Sequence, residues 1–341
     1  MVLAQNKEEI KMPRYTEYLR FGILGLAFTS SALFAQHNAP PPSSGYPSKP
    51  IRVLVGVTPG GGLDTITRIV SQKLGERLAQ SFIVDNRPGA ASTIAMKLAA
   101  TASPDGYTLM SATKTMILNG VFNRVQFDVL QAYIPVVAMT TQAYVMVVNP
   151  SVPVKSITDL VRREKAAPGT LNYGSAGIGS LQHVGMEHFN QMSGAKIVHV
   201  PYKGGGAAII DLLAGQIQVM PSVTISVGTY IRNGKLKAIA VTSLRRVQVF
   251  PDIPTVSESG VPGFELVNLY GLYAPAGTAP HIISTLNTEV LRVMGQPDLE
   301  KAFAADGVEA QGQNTPEQFR TMVTLEFKKW SEFARTSRIK F

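Results

Sequence analysis

Residues 53–57 form an apolar, valine-rich run, the pattern of a buried strand. The run breaks at Thr58-Pro59-Gly60-Gly61-Gly62. It resumes with helical spacing, because Ile66, Ile69, Val70, Leu74 and Leu78 fall near one face. The pattern predicts strand, glycine turn, helix. Residues 82–85 read as a second strand, 90–102 as a helix and 107–111 as a third strand, ending in an irregular stretch at Ala112-Thr113-Lys114-Thr115. Two more strands are expected at 134–139 and 144–148. This βαβα alternation predicts a parallel sheet with helices on its faces.

After Asn149-Pro150 a second series begins. A helix at 157–165, capped by Ser156, precedes a strand at 171–173. Residues 174–180 lead into a helix ending near 192. A strand at 197–201, a turn at Tyr202-Lys203-Gly204-Gly205-Gly206 and a helix at 207–213 follow. Strands at 216–220 and 236–241 flank a helix at 229–232. An extended run at 266–274 precedes helices at 280–294, 299–304 and 316–335.

Three strand-glycine-helix junctions therefore recur, at 60–62, 174–179 and 204–206. Helix starts carry amides without carbonyl partners, and glycine lets an anion approach them. In open α/β sheets ligands sit beyond the carboxyl ends of strands, where these turns lie. Close packing explains any one of the turns equally well; three sharing one chemistry point to a site for a carboxylate.

Other chemistries fit less well. There is no Walker loop, and G-x-G-x-x-G fails at Gly60 and at Gly177. No serine sits in G-x-S-x-G, and Ser193-Gly194-Ala195-Lys196 lacks the companion motifs of an acylating enzyme. His183, Glu187 and His188 match no zinc motif, and His199 lies in an apolar strand. No metal and no cofactor are expected. Asp64 fits compensation of its helix dipole. Lys114, at a strand end, and Tyr202 and Lys203, beside Gly204, either face solvent or reach a ligand.

Composition narrows the class. The 341 residues are 45% hydrophobic and 16% charged, a globular balance with room for two domains. Lys and Arg exceed Asp and Glu by 32 to 23, but the basic residues are dispersed and do not interleave with aromatics, so nucleic acid is not expected as a partner. The absence of cysteine removes disulfides, thiolate metal sites and a lipidated cysteine. Lys11, Arg14 and Arg20 precede the apolar residues 21–28 and small residues, the order of a secretory signal. The expectation is a signal peptide over 1–35, a Pro/Ser-rich linker over 36–45, and an exported domain that does not insert into the membrane.

Several runs together carry a resemblance: Tyr46-Pro47-Ser48-Lys49-Pro50, Pro59-Gly60-Gly61-Gly62-Leu63-Asp64, Asp85-Asn86-Arg87-Pro88-Gly89-Ala90, Pro104-Asp105-Gly106-Tyr107, Leu171-Asn172-Tyr173-Gly174-Ser175-Ala176-Gly177 and Val200-Pro201-Tyr202-Lys203-Gly204-Gly205. From Tyr46 onward the chain resembles the Bug-type extracytoplasmic solute receptors, the binding components of tripartite tricarboxylate transporters. The resemblance implies an α/β fold of the type II periplasmic-binding-protein kind. Its two α/β domains flank a ligand cleft, and the C-terminal helices return to domain 1, giving 46–147 with 267–341 as domain 1 and 148–266 as domain 2. It also implies a small carboxylate ligand, integral membrane transporter subunits as partners, and a monomer.

The expected ligand set is Thr58, Gly60, Gly61, Gly62, Asp64, Thr113, Lys114, Ser175, Ala176, Gly177, Gly179, Ser180, Tyr202, Lys203 and Gly204. The chain departs from the family pattern at Ala91-Ser92, where two glycines are usual. It departs again at 113–117, at 127–133 and around Met220-Pro221-Ser222. Two other classes remain open: an enzyme using Asp64, His183 or Lys203 as acid-base groups, and a sensory protein that signals its ligand state.

Overall fold

The computed structural model describes residues 45–122 and 124–337. The expected signal peptide over 1–35, and all of the expected linker except Gly45, lie outside them.

The chain opens with β1 (Ile51–Val55), α1 (Gly62–Leu78), β2 (Phe82–Asn86), α2 (Thr93–Ala100) and β3 (Thr108–Thr113). β1 lies between β2 and β3, parallel to both. The predicted face of α1 closes this layer: Ile66, Val70 and Leu74 are buried, each stabilising the fold by about 1.5–3 kcal/mol. α3 (Lys114–Val121) and α4 (Val129–Ala132) follow. The stretch read as irregular at 112–115 is thus a helix start, with the Thr113 hydroxyl accepting the Thr115 amide as its cap.

β4 (Tyr133–Val148) is a single strand where two were expected. Thr140, Thr141 and Gln142 look like a polar gap, yet no glycine or proline interrupts them. Thr140 and Gln142 are buried, and the strand continues through them with irregular register at Pro135/Val137 and Ala138/Thr140. β4 links the two halves of the molecule.

The second half contains α5 (Ile157–Ala166), β5 (Asn172–Ser175), α6 (Leu181–Ser193), β6 (Val198–Pro201), α7 (Gly205–Leu213), β7 (Val219–Val223), α8 (Thr224–Arg232) and β8 (Lys237–Val241). β5 runs parallel to β6 and β7. The chain then returns through β9 (Val267–Pro275) to α9 (Pro280–Met294), α10 (Pro297–Ala305), β10 (Glu309–Ala310) and α11 (Pro316–Thr336).

The sheet order is β2-β1-β3-β9-β4-β7-β5-β6, with β8 and β10 also pairing with β4. The sheet is mixed, not parallel as the alternation predicted. β9 is antiparallel to β3 and β4, and β4 is antiparallel to β7 and β8. The reason is topological: β4 carries the chain out of the first half and β9 carries it back, so each must oppose its neighbours. β4 pairs with β9 as far as Ala143 and with β7 from Tyr144, so the change of partners falls inside one strand.

α11 starts with a capping box between Thr315 and Gln318. It buries Phe319 and Val323 in the first half and sets Trp330 among apolar side chains of the second.

Candidate functional site

The turns after β1 and β6 meet backbone to backbone. A Cβ on Gly204 would lie 2.6 Å from Thr58 Oγ1, and one on Gly206 2.5 Å from the Pro59 carbonyl oxygen. Only glycine permits this approach. α1 has no side-chain cap. Asp64 instead accepts bonds from the Gly60 amide (3.0 Å), Asn86 Nδ2 (2.8 Å) and Arg68 Nε (3.0 Å). Burial works against its charge, but these bonds and the Arg68 charge hold its carboxyl below the ordinary range.

Beside these turns lies a cavity of about 60 Å³ between the two halves, room for roughly four to six water-sized positions. Val57, Gly61, Gly62, Leu63, Ala91, Ser92, Thr113 and Thr115 line it from the first half. Ala176, Leu181, Gln182, Gly205, Ile209, Ser222, Val223 and Ser226 line it from the second, and Tyr144, Asn268 and Tyr270 come from the linking strands. None of these residues is Lys, Arg, His, Asp or Glu. Instead the starts of six helices reach the cavity: α1 through Gly61–Leu63, α2 through Ser92, α3 through Thr113 and Thr115, α6 through Leu181 and Gln182, α7 through Gly205, and α8 through Val223 and Ser226. Each brings the positive end of its dipole and amides without intrahelical partners.

The polar side chains are held in place. Thr115 Oγ1 accepts the Leu181 amide at 3.1 Å, joining α3 to α6. Gln182 accepts the Ala176 amide through Oε1 (2.8 Å) and donates to the Pro221 carbonyl through Nε2 (2.7 Å). Ser226 Oγ is buried without a protein partner, a group positioned to bond an occupant. Ala90, Ala91 and Ser92 have φ of 46°, 50° and 73°. They hold a backbone shape that glycine adopts with less strain. Ser92 Oγ donates to the Gly56 carbonyl, and Asn119 Nδ2 to the Ala91 carbonyl at 2.7 Å, which braces the turn.

Of the expected set, Gly61, Gly62, Thr113 and Ala176 line the cavity. The rest do not line it; most bond or pack elsewhere, while the Thr58 hydroxyl, like that of Ser226, is buried without a protein partner. Lys114 does not reach the cavity. It is the first residue of α3, and its ammonium lies 2.8 Å from Glu326 Oε1 on α11, while Glu326 Oε2 accepts Trp330 Nε1. Asp64 and Gly60 bond each other. Ser175 bonds Gly177 and His199, and Ser180 caps α6. Gly177 packs on Ala91 and Gly179 on Arg124, and Thr58 and Gly204 pack on each other. The Tyr202 hydroxyl donates to Asp211, and Lys203 is exposed.

Sequence reasoning missed Gln182, Ser222, Ser226, Asn268 and Tyr270. A usable signal existed for Ser222 and Asn268, polar residues inside apolar runs.

The groups considered as acid-base catalysts do not meet at the cavity. His183 Nδ1 accepts the Gly179 amide, and its ring stacks on His199 at 3.9 Å. Burial, then the neighbouring His199 and Arg124, lowers the His183 pKa to about 3. Burial lowers that of His199 to about 4.

Residues 66–337 match the model of the tripartite tricarboxylate transporter family receptor. Protein BugT of Bordetella pertussis is 33% identical over 304 residues, spanning 87% of this chain and 92% of that protein. A solved R. palustris protein with adipate superposes with a TM-score of 0.81 at 30% identity, over 85% of this chain and 98% of that one. MatC of Rhodopseudomonas palustris with bound malate gives 0.80 at 27% identity, over 84% and 99%. With a two-lobed α/β fold shared with these proteins and a match over most of its length, the chain belongs to the tripartite tricarboxylate transporter receptor family.

Proposed function

We propose that this protein captures a small dicarboxylate between its lobes and delivers it to integral membrane subunits of a tripartite transporter. We take it to act in the periplasm after removal of its signal peptide, as a monomer and without catalysis. The observation that supports this reading is the interlobe cavity: uncharged side chains, six helix starts and a buried, unpartnered Ser226 hydroxyl. A carboxylate suits such a lining, because amides and dipoles neutralise its charge without a salt bridge. Hydrogen bonds to a charged group contribute about 1.5–3 kcal/mol each. A few of them, less the entropic cost of association, reach the ~8 kcal/mol of micromolar binding. The relatives with adipate and malate favour dicarboxylates of about four to six carbons.

Calorimetric titration of the mature protein with malate, succinate and adipate tests this. Saturable binding by at least one acid, weakened in Gly61→Val, is expected. Gly61 lines the cavity, and a Cβ there would meet its neighbours at 3.7 Å, ordinary van der Waals contact. No binding of any dicarboxylate, or unchanged affinity in Gly61→Val, would overturn the reading.

A further inference from the structure

A second hollow lies away from the interlobe cavity, between α4, the start of β4, β9 and α11. Its volume is about 280 Å³, larger than the roughly 60 Å³ between the lobes. Met116, Val129, Tyr133, Pro135, Tyr273 and Val323 make its walls apolar. These walls are fixed. The Tyr133 hydroxyl donates to the Met96 carbonyl at 2.6 Å. The Tyr133 ring meets Tyr273 edge-on with centroids 6.5 Å apart, and Tyr273 packs on Phe319 at 5.1 Å. At the mouth stands Arg320, on the exposed side of α11. Among the described residues no acidic side chain forms an ion pair with it.

Apolar walls of ligand size with one cation at the rim have a definite complement. The interlobe cavity differs in mixing apolar with polar groups and in carrying no charged side chain. The two sites therefore select different acids. The hollow is also walled by Leu130 and Gln131.

We propose that this hollow is a second ligand site, for a monocarboxylate with an apolar body, such as a medium-chain fatty acid. The hydrocarbon lies beside Leu130, over the floor that Tyr133, Tyr273 and Val323 form. The carboxylate pairs with the Arg320 guanidinium, whose planar donors suit it.

The test is calorimetric titration of the mature protein with octanoate, and with 1-octanol as the neutral comparison. The variants are Arg320→Glu and Thr324→Trp, both at exposed positions of α11, and Gly61→Val in the interlobe cavity. Circular dichroism melts confirm that each variant is folded. Octanoate is expected to bind wild type and Gly61→Val equally, and each α11 variant at least tenfold more weakly. Octanol is expected to bind at least tenfold more weakly than octanoate. Octanoate binding lost in Gly61→Val but kept in both α11 variants would assign it to the interlobe cavity and overturn the proposal. No saturable binding at millimolar octanoate, or equal binding of octanol, would overturn it as well. Binding of dicarboxylates between the lobes can fail without affecting any of these outcomes.

Discussion

The hydroxyl of Thr115, in the first turn of α3, accepts the backbone amide of Leu181, the first residue of α6, at 3.1 Å. One lobe thereby caps a helix of the other at the edge of the cavity. Leu181 carries one of the amides that α6 cannot satisfy internally. An open form would leave that amide to water.

Thr115→Val keeps the shape and removes the acceptor. A net hydrogen bond is worth about 0.5–1.5 kcal/mol. Dicarboxylate affinity should fall about two- to tenfold, read by calorimetry, with the melting temperature of the unliganded protein little changed. Unaltered affinity would remove this bond from the closure mechanism.

Gly206→Ala separates closure from folding. Gly206 is in the first turn of α7, where alanine raises helix propensity by about 1 kcal/mol. In the closed form, however, its Cβ would lie 2.5 Å from the Pro59 carbonyl oxygen across the cleft. Forcing such a contact costs about 1–3 kcal/mol. Ligand affinity should drop about fivefold or more while thermal stability holds or rises, and X-ray scattering should show a more open particle with ligand present. Undiminished affinity would contradict this.

Ala90 is exposed and has φ of 46°. Relieving the left-handed strain with Ala90→Gly outweighs the added freedom of the unfolded chain. A gain of about 0.5–1 kcal/mol is expected in urea unfolding; a loss would show that the turn stores no strain there.

The stacked pair His183 and His199 sets an acid limit. Burial leads the causes that lower their pKa values to about 3 and about 4, from about 6.5 in the unfolded chain. Below pH ~6.5 the unfolded state binds protons that the folded state refuses. Stability should therefore be fully present above that pH and decline as pH falls towards 4, by up to about 1.4 kcal/mol per pH unit for each histidine. His199→Gln, which keeps a hydrogen-bonding group near Ser175, should flatten the melting temperature against pH between about 6.5 and 4. An unchanged slope would contradict the assignment.

The glycine junctions were legible because they combine two local signals, an apolar run ending in glycine and a helical period beginning after it. These signals found α1 and β1 and identified Gly61 and Gly62 as cavity-lining residues. They failed where the deciding contact is distant in sequence. Lys114 looked available for an anion because its partner, Glu326, lies on the last helix. Thr140 to Gln142 looked like a break because their burial depends on β9 and β10. Asp64 and Ser180 hold the turns in shape rather than line the cavity, which residue type alone does not reveal. Gln182 and Ser226 reach the cavity because α6 and α8 start beside it, and for α8 the sequence misjudged that start, reading the helix only from 229.

The central claim is that main-chain donors at helix starts, not basic side chains, hold the ligand's charge. A crystal structure with a bound dicarboxylate tests it most directly. The account predicts a carboxylate between the lobes, accepting hydrogen bonds from amides at the start of α1, with no Lys or Arg nitrogen within about 4 Å. A carboxylate paired with a lysine or arginine, or a ligand seated outside this cavity, would contradict it.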